Sequence, residues 1–175
     1  IYGNDKGGAG PAGRAAKLNL LFSLGSTSDH NAAVLAAANA GAKIINMSWG
    51  AYEPIDEGLF LDTYPDSLIS FEEDTQHLDD VGLLLFASSG NDGRDVDHTN
   101  IDGDEDVWKF PCENKGVYCV GGWVKDLAVK DQYANYGRGI GETVDIAGPY
   151  TVLIGQSPAN PYVDEVSFRS GTSYA

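Results

Sequence analysis

The stretch that decides the fold is AAANAGAKIINMSWG, residues 36–50. It begins inside an alanine-rich segment, residues 31–40, which predicts a helix because alanine has the highest helix propensity. Gly41 is placed to stop this helix, and its start has two candidate caps, Ser28 and Asp29. The short apolar run at residues 43–48 then predicts a buried strand that leads into Ser-Trp-Gly.

The same alternation of elements continues on both sides of this stretch. Pro65-Asp66 opens a second helical segment that reaches about Val81, and the apolar residues 82–87 predict the next buried strand. Further strands are predicted at residues 17–22, 117–121, 143–146 and 166–169. Strands that alternate with helices predict one α/β domain, in which a parallel sheet is covered by helices on both faces.

Three polar segments are candidates for a binding or catalytic site in such a fold. Ser48-Trp49-Gly50 and Ser88-Ser89-Gly90-Asn91 directly follow two predicted strands, and the carboxyl ends of parallel strands are where sites form. The third segment is Ser-Gly-Thr-Ser-Tyr-Ala at residues 170–175. Ser173 follows a Gly-Thr turn, so it can begin a helix with its hydroxyl exposed and act as a nucleophile, or it can simply cap that helix.

In this order, the three segments resemble the subtilisin family of serine endopeptidases. The resemblance covers almost the whole chain and implies a subtilisin-like sheet, here incomplete, in a single partial peptidase catalytic domain over residues 1–175. It rests further on segments that match the family's pattern in register: residues 10–18, 36–50, 110–111 with 117–121, 133–137 and 144–149.

The resemblance implies a role for each candidate residue. Ser173 would attack a peptide carbonyl, and the Asn91 amide with the Ser173 backbone N–H would form the oxyanion hole. Ser48, Trp49 and Gly50 would pair with the substrate backbone as an antiparallel edge, and the opposite wall would be Ser88, Ser89 and Gly90. Two alternatives stay open: Asn91 is a plain turn residue in Gly-Asn-Asp-Gly, or Trp49 is a core aromatic.

Lys109 departs from the family's pattern. It precedes Phe110-Pro111, at a position that usually lies on the floor of the pocket for the side chain before the scissile bond. A lysine would shorten that pocket and add a positive charge, unless the preceding insertion leaves Lys109 in solvent. The sequence favours neutralisation of Lys109 by Asp92 or displacement of Lys109 over a preference for acidic substrate residues, so an apolar or aromatic preference is expected.

The family's catalytic aspartate and histidine are the other departure. The family's Asp-Ser/Thr-Gly and His-Gly-Thr motifs do not occur, and none of the three histidines, His30, His77 and His98, has such a context. The chain is therefore expected to be an internal fragment that lacks the Asp and His segments before residue 1 and the helix after Ala175, and to be inactive alone. The alternative is a non-catalytic pseudoprotease or binding module of the same fold. A nucleotide-binding domain is disfavoured, since no G-x-G-x-x-G or P-loop follows a strand.

Composition limits the partners. The net charge of −15 opposes binding to nucleic acid or anionic membranes, and no apolar run is long enough to span a bilayer. The resemblance implies a polypeptide substrate, and a monomeric state and an extracellular location are expected. No cofactor is needed for the chemistry, and no metal ligand is assigned. The acidic insertion at residues 94–106 is equally compatible with a structural calcium ion and with a solvated loop.

Cys112 and Cys119 flank a short turn, Glu113-Asn114-Lys115-Gly116. In an exported protein this arrangement favours a disulfide that closes a small loop. Two independent thiols are the alternative, and a metal pair is disfavoured because no second Cys/His pair accompanies them.

Overall fold

The computed structural model describes residues 26–54, 66–96, 107–124, 131–137, 143–155 and 166–175. The strand predicted at residues 17–22 lies outside these ranges, as do His98 and residues 97–106 of the acidic insertion. Within the described ranges, no helix has both the length and the apolar character needed to cross a membrane.

Helix α1 spans Thr27–Asn39, and its N-cap is Ser26. The Ser26 hydroxyl accepts a hydrogen bond from the Asp29 N–H, and the Asp29 carboxylate accepts one from the Ser26 N–H at 2.8 Å. The prediction of Ser28 or Asp29 as the cap was wrong, because Asp29 closes this capping box from the third helical position. Hydrogen bonds from the Ser26 hydroxyl and N–H lower the pKa of Asp29. Gly41, with φ of +85°, follows the helix end as predicted.

The remaining regular elements alternate as the sequence predicts, with three additional strands. In chain order they are β1 (Ile44–Met47), β2 (Ala51–Pro54), α2 (Asp66–Asp80), β3 (Leu84–Ser88), β4 (Val107–Phe110), β5 (Val117–Trp123), β6 (Val144–Pro149), β7 (Thr151–Gly155) and β8 (Val166–Ser170). Strands β1, β3, β5 and β6 form one parallel sheet in the order β1-β3-β5-β6. The parallel sheet is confirmed; β2, β4 and β7 were not predicted.

One face of the sheet carries the hydrophobic core. Helices α1 and α2 contact each other and pack on this face. Side chains alternate along the strands, so Leu85 and Ala87 are buried under the helices while Leu84 points to the opposite face. The core cluster comprises Val34, Met47, Leu68, Phe71, Leu78, Leu83, Leu85, Ala87, Phe110, Cys112, Val117 and Cys119.

The opposite face, which we call the open face, is apolar and exposed in the described part of the chain. Four of its side chains, one on each strand of the sheet, are 63%, 39%, 39% and 47% exposed: Ile44, Leu84, Tyr118 and Ile146. Phe86 lies among them, with its ring 5.5 Å from that of Tyr118. Within the described residues, helices therefore cover only one of the two faces predicted to carry them.

Two antiparallel ribbons flank the carboxyl edge of the sheet. Strand β2 pairs with β4, which places Tyr52 opposite Lys109. Strand β7 pairs with β8, whose end leads into the turn that holds Ser173. Neither ribbon was predicted as a pair: β8 was expected as a strand, but β2, β4 and β7 are only four or five residues long, and β2 pairs with a partner more than fifty positions away.

Cys112 and Cys119 are joined by a disulfide, as predicted, with their Cα atoms 4.7 Å apart. Cys119 lies in β5, and Cys112 follows β4. Both residues are buried in the core cluster, so the bridge ties the turn between these strands to the interior of the domain.

Candidate active site

Two loops meet at the carboxyl edge of the sheet. Met47 at the end of β1 pairs with Ala87 near the end of β3, so the segments that follow these strands lie side by side. These are the segments Ser48–Gly50 and Ser89–Asn91. The packing of neighbouring parallel strands therefore brings together two of the three segments that the sequence predicts as site residues.

The third segment is attached to the second by Thr172. Residues Thr172–Tyr174 form one 3₁₀ turn after β8. The Thr172 N–H donates to Asn91 Oδ1 at 2.8 Å, and the Thr172 hydroxyl donates to the Gly90 carbonyl at 3.2 Å. In return, the Gly90 N–H donates to Thr172 Oγ1 at 3.1 Å. The residue before Ser173 is thus bonded to Asn91 itself, so Ser173 and Asn91 lie at the same edge of the sheet.

These bonds orient the Asn91 side chain. Its oxygen also accepts from the Thr172 hydroxyl at 3.2 Å, whereas its amide nitrogen has no hydrogen-bond partner among the described residues. Asn91 is exposed, so the amide N–H groups are available to a ligand oxygen. The sequence did not single out Thr172; its place beside the serine in Gly-Thr-Ser was the available signal.

Ser173 is exposed, and its backbone is attached to the first loop. The Ser48 hydroxyl donates to the Ser173 carbonyl at 3.3 Å, and the Asn46 amide donates to Ser48 Oγ at 2.9 Å. Gly171, which precedes this turn, has φ of +148°, and its N–H donates to the Tyr150 carbonyl at 2.9 Å. The serine turn is therefore anchored to the sheet on two sides.

A buried asparagine shapes the loop that carries Asn91. Asn135 is 1% exposed, and its side-chain amide donates to the Ser89 carbonyl at 2.7 Å. Its side-chain oxygen accepts from the N–H groups of Asp92 at 3.1 Å and Arg94 at 3.0 Å. A Cβ at Gly90 would clash with this amide, and the φ of Gly90 is +109°, so only glycine fits there. Sequence reasoning missed Asn135, because no local motif links residue 135 to residues 89–94.

The space between the two loops holds Tyr52 and Lys109. The Tyr52 hydroxyl donates to Asp92 Oδ2 at 2.5 Å and accepts from the Asn135 amide. Burial and the hydrogen bond to Asp92 raise the pKa of this hydroxyl. The Lys109 ammonium lies 4.1 Å from the centroid of the Tyr52 ring, and Lys109 is only 5% exposed. Lys109 is therefore not a solvated side chain, which was one of its two expected placements.

Trp49 of the first loop packs against His30 of helix α1. The Trp49 ring stacks on His30 at a centroid distance of 4.0 Å and contacts the rings of Phe71 and Phe110. His30 Nδ1 is 2.9 Å from the Ser26 carbonyl. These contacts support the core-aromatic alternative for Trp49, while the backbone of Ser48–Gly50 remains at the edge of the cleft.

The described residues offer no metal site: they contain no group of three or more His, Cys, Asp or Glu side chains that could hold an ion. Of the acidic insertion, only Arg94, Asp95 and Val96 fall in this part of the chain. The expectation of a structural calcium ion stays a prediction.

An exposed serine and an asparagine amide thus lie at the carboxyl edge of a parallel α/β sheet. A family model for the subtilase family matches residues 1–175, and the chain belongs to this family. No curated protein matches the sequence.

Solved structures of peptide-processing proteases share the fold. A lanthipeptide protease is 22% identical with a TM-score of 0.68, over 86% of this chain and 48% of that one. The prenylagaramide maturation protease PagA is 24% identical with a TM-score of 0.60, over 91% and 47%. The epidermin leader peptide processing serine protease of Staphylococcus aureus is 20% identical with a TM-score of 0.64, over 84% and 40%. The chain spans about half the length of these structures or less.

Proposed function

We propose that the protein is a subtilisin-like serine endopeptidase in which Ser173 is the nucleophile and Asn91 is an oxyanion-hole residue. The observation that carries this proposal is the 2.8 Å hydrogen bond from the Thr172 N–H to Asn91 Oδ1. It fixes the asparagine beside the serine and turns its free amide N–H groups outward. A binding module has no need of both groups in this arrangement.

The proposed chemistry begins with attack by Ser173 Oγ on a peptide carbonyl. The carbonyl oxygen becomes negatively charged, and the Asn91 amide and the Ser173 N–H donate hydrogen bonds to it. Collapse of this intermediate expels the amine and leaves an acyl-enzyme, which water hydrolyses. A serine hydroxyl needs a base to accept its proton, so a histidine and an orienting aspartate from other parts of the whole protein are required.

The two loops would hold the substrate chain. The edge at Ser48, Trp49 and Gly50 would pair with its backbone, and Ser88, Ser89 and Gly90 would form the opposite wall with Lys109 between them. The names of the structural neighbours refer to leader-peptide processing and precursor maturation. A precursor peptide is therefore the first substrate class to test. The proposed enzyme acts as a monomer outside the cell, where the Cys112–Cys119 disulfide would persist.

The test uses the complete catalytic domain that contains this chain and a set of fluorogenic peptides. We expect Ser173→Ala to abolish cleavage. Asn91→Ala should lower kcat by roughly 10²–10³-fold, which is the loss known for the oxyanion-hole asparagine of subtilisin itself. Ser28→Ala and Asn39→Ala replace the same residue types on the exposed side of α1 and should leave kcat unchanged. Full activity of the Ser173→Ala variant would refute the proposal.

The second candidate is a non-catalytic protein of the same fold. It is favoured only by the absence of the Asp-Ser/Thr-Gly and His-Gly-Thr motifs from these residues. The sequence of the whole protein separates the two candidates: both motifs upstream of residue 1 support the protease, and their replacement by other residues supports the binding module.

A further inference from the structure

The side chains of Tyr52 and Lys109 fill the space between the two glycines of the proposed substrate cleft. A Cβ placed on Gly50 would lie 3.1 Å from Lys109 Nζ, and one placed on Gly90 would lie 2.9 Å from the Tyr52 hydroxyl oxygen. The pairing of β2 with β4 sets Tyr52 and Lys109 opposite each other, which fixes both side chains at this depth. These two side chains therefore limit the depth of the proposed cleft, and the Lys109 ammonium lies close to Gly50.

This ammonium group has no direct anionic partner in the described part of the chain. Lys109 is 5% exposed, and its Nζ makes neither a hydrogen bond nor an ion pair there; it lies 4.1 Å from the centroid of the Tyr52 ring. Burial lowers the pKa of Lys109, and the negative charges of Asp92 and Glu113 oppose that change. A cation–π contact offsets only part of the cost of removing an ammonium from water.

The two neighbouring carboxylates are engaged by other donors. Asp92 Oδ2 accepts the Tyr52 hydroxyl hydrogen bond, and Glu113 Oε2 accepts from the backbone N–H of Lys109. Neither carboxylate lies within ion-pair distance of Lys109 Nζ. The sequence-based expectation that Asp92 neutralises Lys109 stays a prediction: the charge of Asp92 acts on the ammonium, but the Asp92 carboxylate is hydrogen-bonded to the Tyr52 hydroxyl.

We propose that this pocket selects an acidic side chain, glutamate or aspartate, in the substrate residue before the scissile bond, and that Lys109 Nζ binds its carboxylate. This inference rests on the proposed peptidase function. It replaces the apolar or aromatic preference that the sequence alone favours.

The other substrate classes fit the pocket less well. An apolar side chain would cover the ammonium and remove its remaining access to water without giving it a partner. A lysine or arginine side chain would bring a like charge against Lys109, although the exposed Asp92 would attract it at the rim. A carboxylate gives the ammonium a charge-assisted hydrogen bond, which is stronger than a neutral one.

The experiment measures kcat/KM on the complete catalytic domain with four peptides that differ only in the residue before the scissile bond: Glu, Gln, Leu and Lys. The ratio of Glu to Gln isolates the charge, because the two side chains have the same shape. The variants are Lys109→Met and, as a matched control, Lys115→Met, whose wild-type side chain is 69% exposed. The dissociation constants of the Glu and Gln product peptides from the Ser173→Ala variant measure the same charge preference without turnover.

We expect the wild-type enzyme to prefer Glu over Gln by roughly tenfold or more, the size of one charge-assisted hydrogen bond. Lys109→Met should abolish this ratio, and Lys115→Met should keep it. A preference for Leu or Lys, or a Glu-to-Gln ratio unaffected by Lys109→Met, overturns the inference. If Lys109→Met does not fold, the Glu-to-Gln ratio of kcat/KM for the wild-type enzyme tests the inference by itself. Absence of any Ser173-dependent cleavage would instead refute the proposed peptidase function.

Discussion

At the scale of single residues, two buried asparagines differ in what they contribute. Asn135 is 1% exposed, and its side chain is fully hydrogen-bonded. Its amide donates to the Ser89 carbonyl and the Tyr52 hydroxyl, and its oxygen accepts from the N–H groups of Asp92 and Arg94. Asn114 is 3% exposed, yet neither of its side-chain polar atoms has a hydrogen-bond partner among the described residues. The same residue type is therefore fully satisfied in one place and unsatisfied in the other.

We predict that Asn135→Ala destabilises the complete domain by about 3 kcal/mol, since it leaves several buried polar groups unpaired. Asn114→Ala should cost less than about 1 kcal/mol, because it removes polar atoms that gain no bond from burial. Urea denaturation of both variants gives the comparison. Equal costs for the two variants would contradict the role assigned to Asn135 in holding the Asn91 loop.

Lys109 predicts a pH dependence of stability. Its pKa is lower in the folded protein than its ordinary value, so over the interval between these values the unfolded chain binds more protons. Stability then rises with pH in that interval. Lys109→Met removes the buried charge, so the variant should be more stable than the wild type at pH 7, and the difference should shrink towards pH 9.5. Denaturant titrations of both proteins at pH 7, 8 and 9.5 measure it; a difference that grows with pH would contradict the prediction.

At the scale of elements, the sequence predicts those whose cause is local. The apolar runs at residues 43–48 and 82–87 and the alanine-rich segment before Gly41 each specify an element through its own composition, and the structure has β1, β3 and α1 there. Strands β2 and β4 cannot be predicted from local composition, because the pairing of Tyr52 with Lys109 joins residues more than fifty positions apart. The same holds for the site: the loop segments could be predicted, but the Thr172 and Asn135 bonds that orient them could not.

The N-cap of α1 gives a prediction at the scale of elements, because the structure and the sequence pattern assign the cap to different residues. Ser26→Ala removes the capping hydroxyl and should destabilise the domain by about 1 kcal/mol. Ser28→Ala, at the position that the sequence alone favours, should change stability by less than about 0.5 kcal/mol, because Ser28 is exposed within the first turn. Thermal denaturation of the two variants tests this; a larger effect at Ser28 would show that the capping box is wrongly assigned.

At the scale of the whole molecule, the described residues contain only part of the proposed catalytic apparatus. Ser173, the proposed nucleophile, and Asn91, the proposed oxyanion donor, lie in the described residues, and neither described histidine is hydrogen-bonded to Ser173 there. His30 bonds to the Ser26 carbonyl and stacks on Trp49, and His77 lies in the last turn of α2. The base that the proposed mechanism requires is therefore not assigned to any residue of this part of the chain.

We accordingly predict that the 175-residue chain alone hydrolyses peptides no faster than its Ser173→Ala variant. Loss of the base leaves only the small residual catalysis that binding and the oxyanion hole provide. Fluorogenic peptide assays on purified material, with the complete domain as the positive control, measure this. Rapid cleavage that depends on Ser173 would show that another group of this chain accepts the proton.

The open face has a consequence for colloidal behaviour. Its exposed apolar side chains attract other copies of the chain, whereas the net charge of −15 repels them. Added salt screens the repulsion, with a Debye length that falls from about 10 Å at 0.1 M to about 3 Å at 1 M, but it leaves the apolar attraction intact. The isolated chain should therefore stay dispersed in dilute buffer and cluster as sodium chloride is raised, which dynamic light scattering would detect. Ile44→Lys and Ile146→Glu, which place charges on this face, should shift the onset of clustering to higher salt.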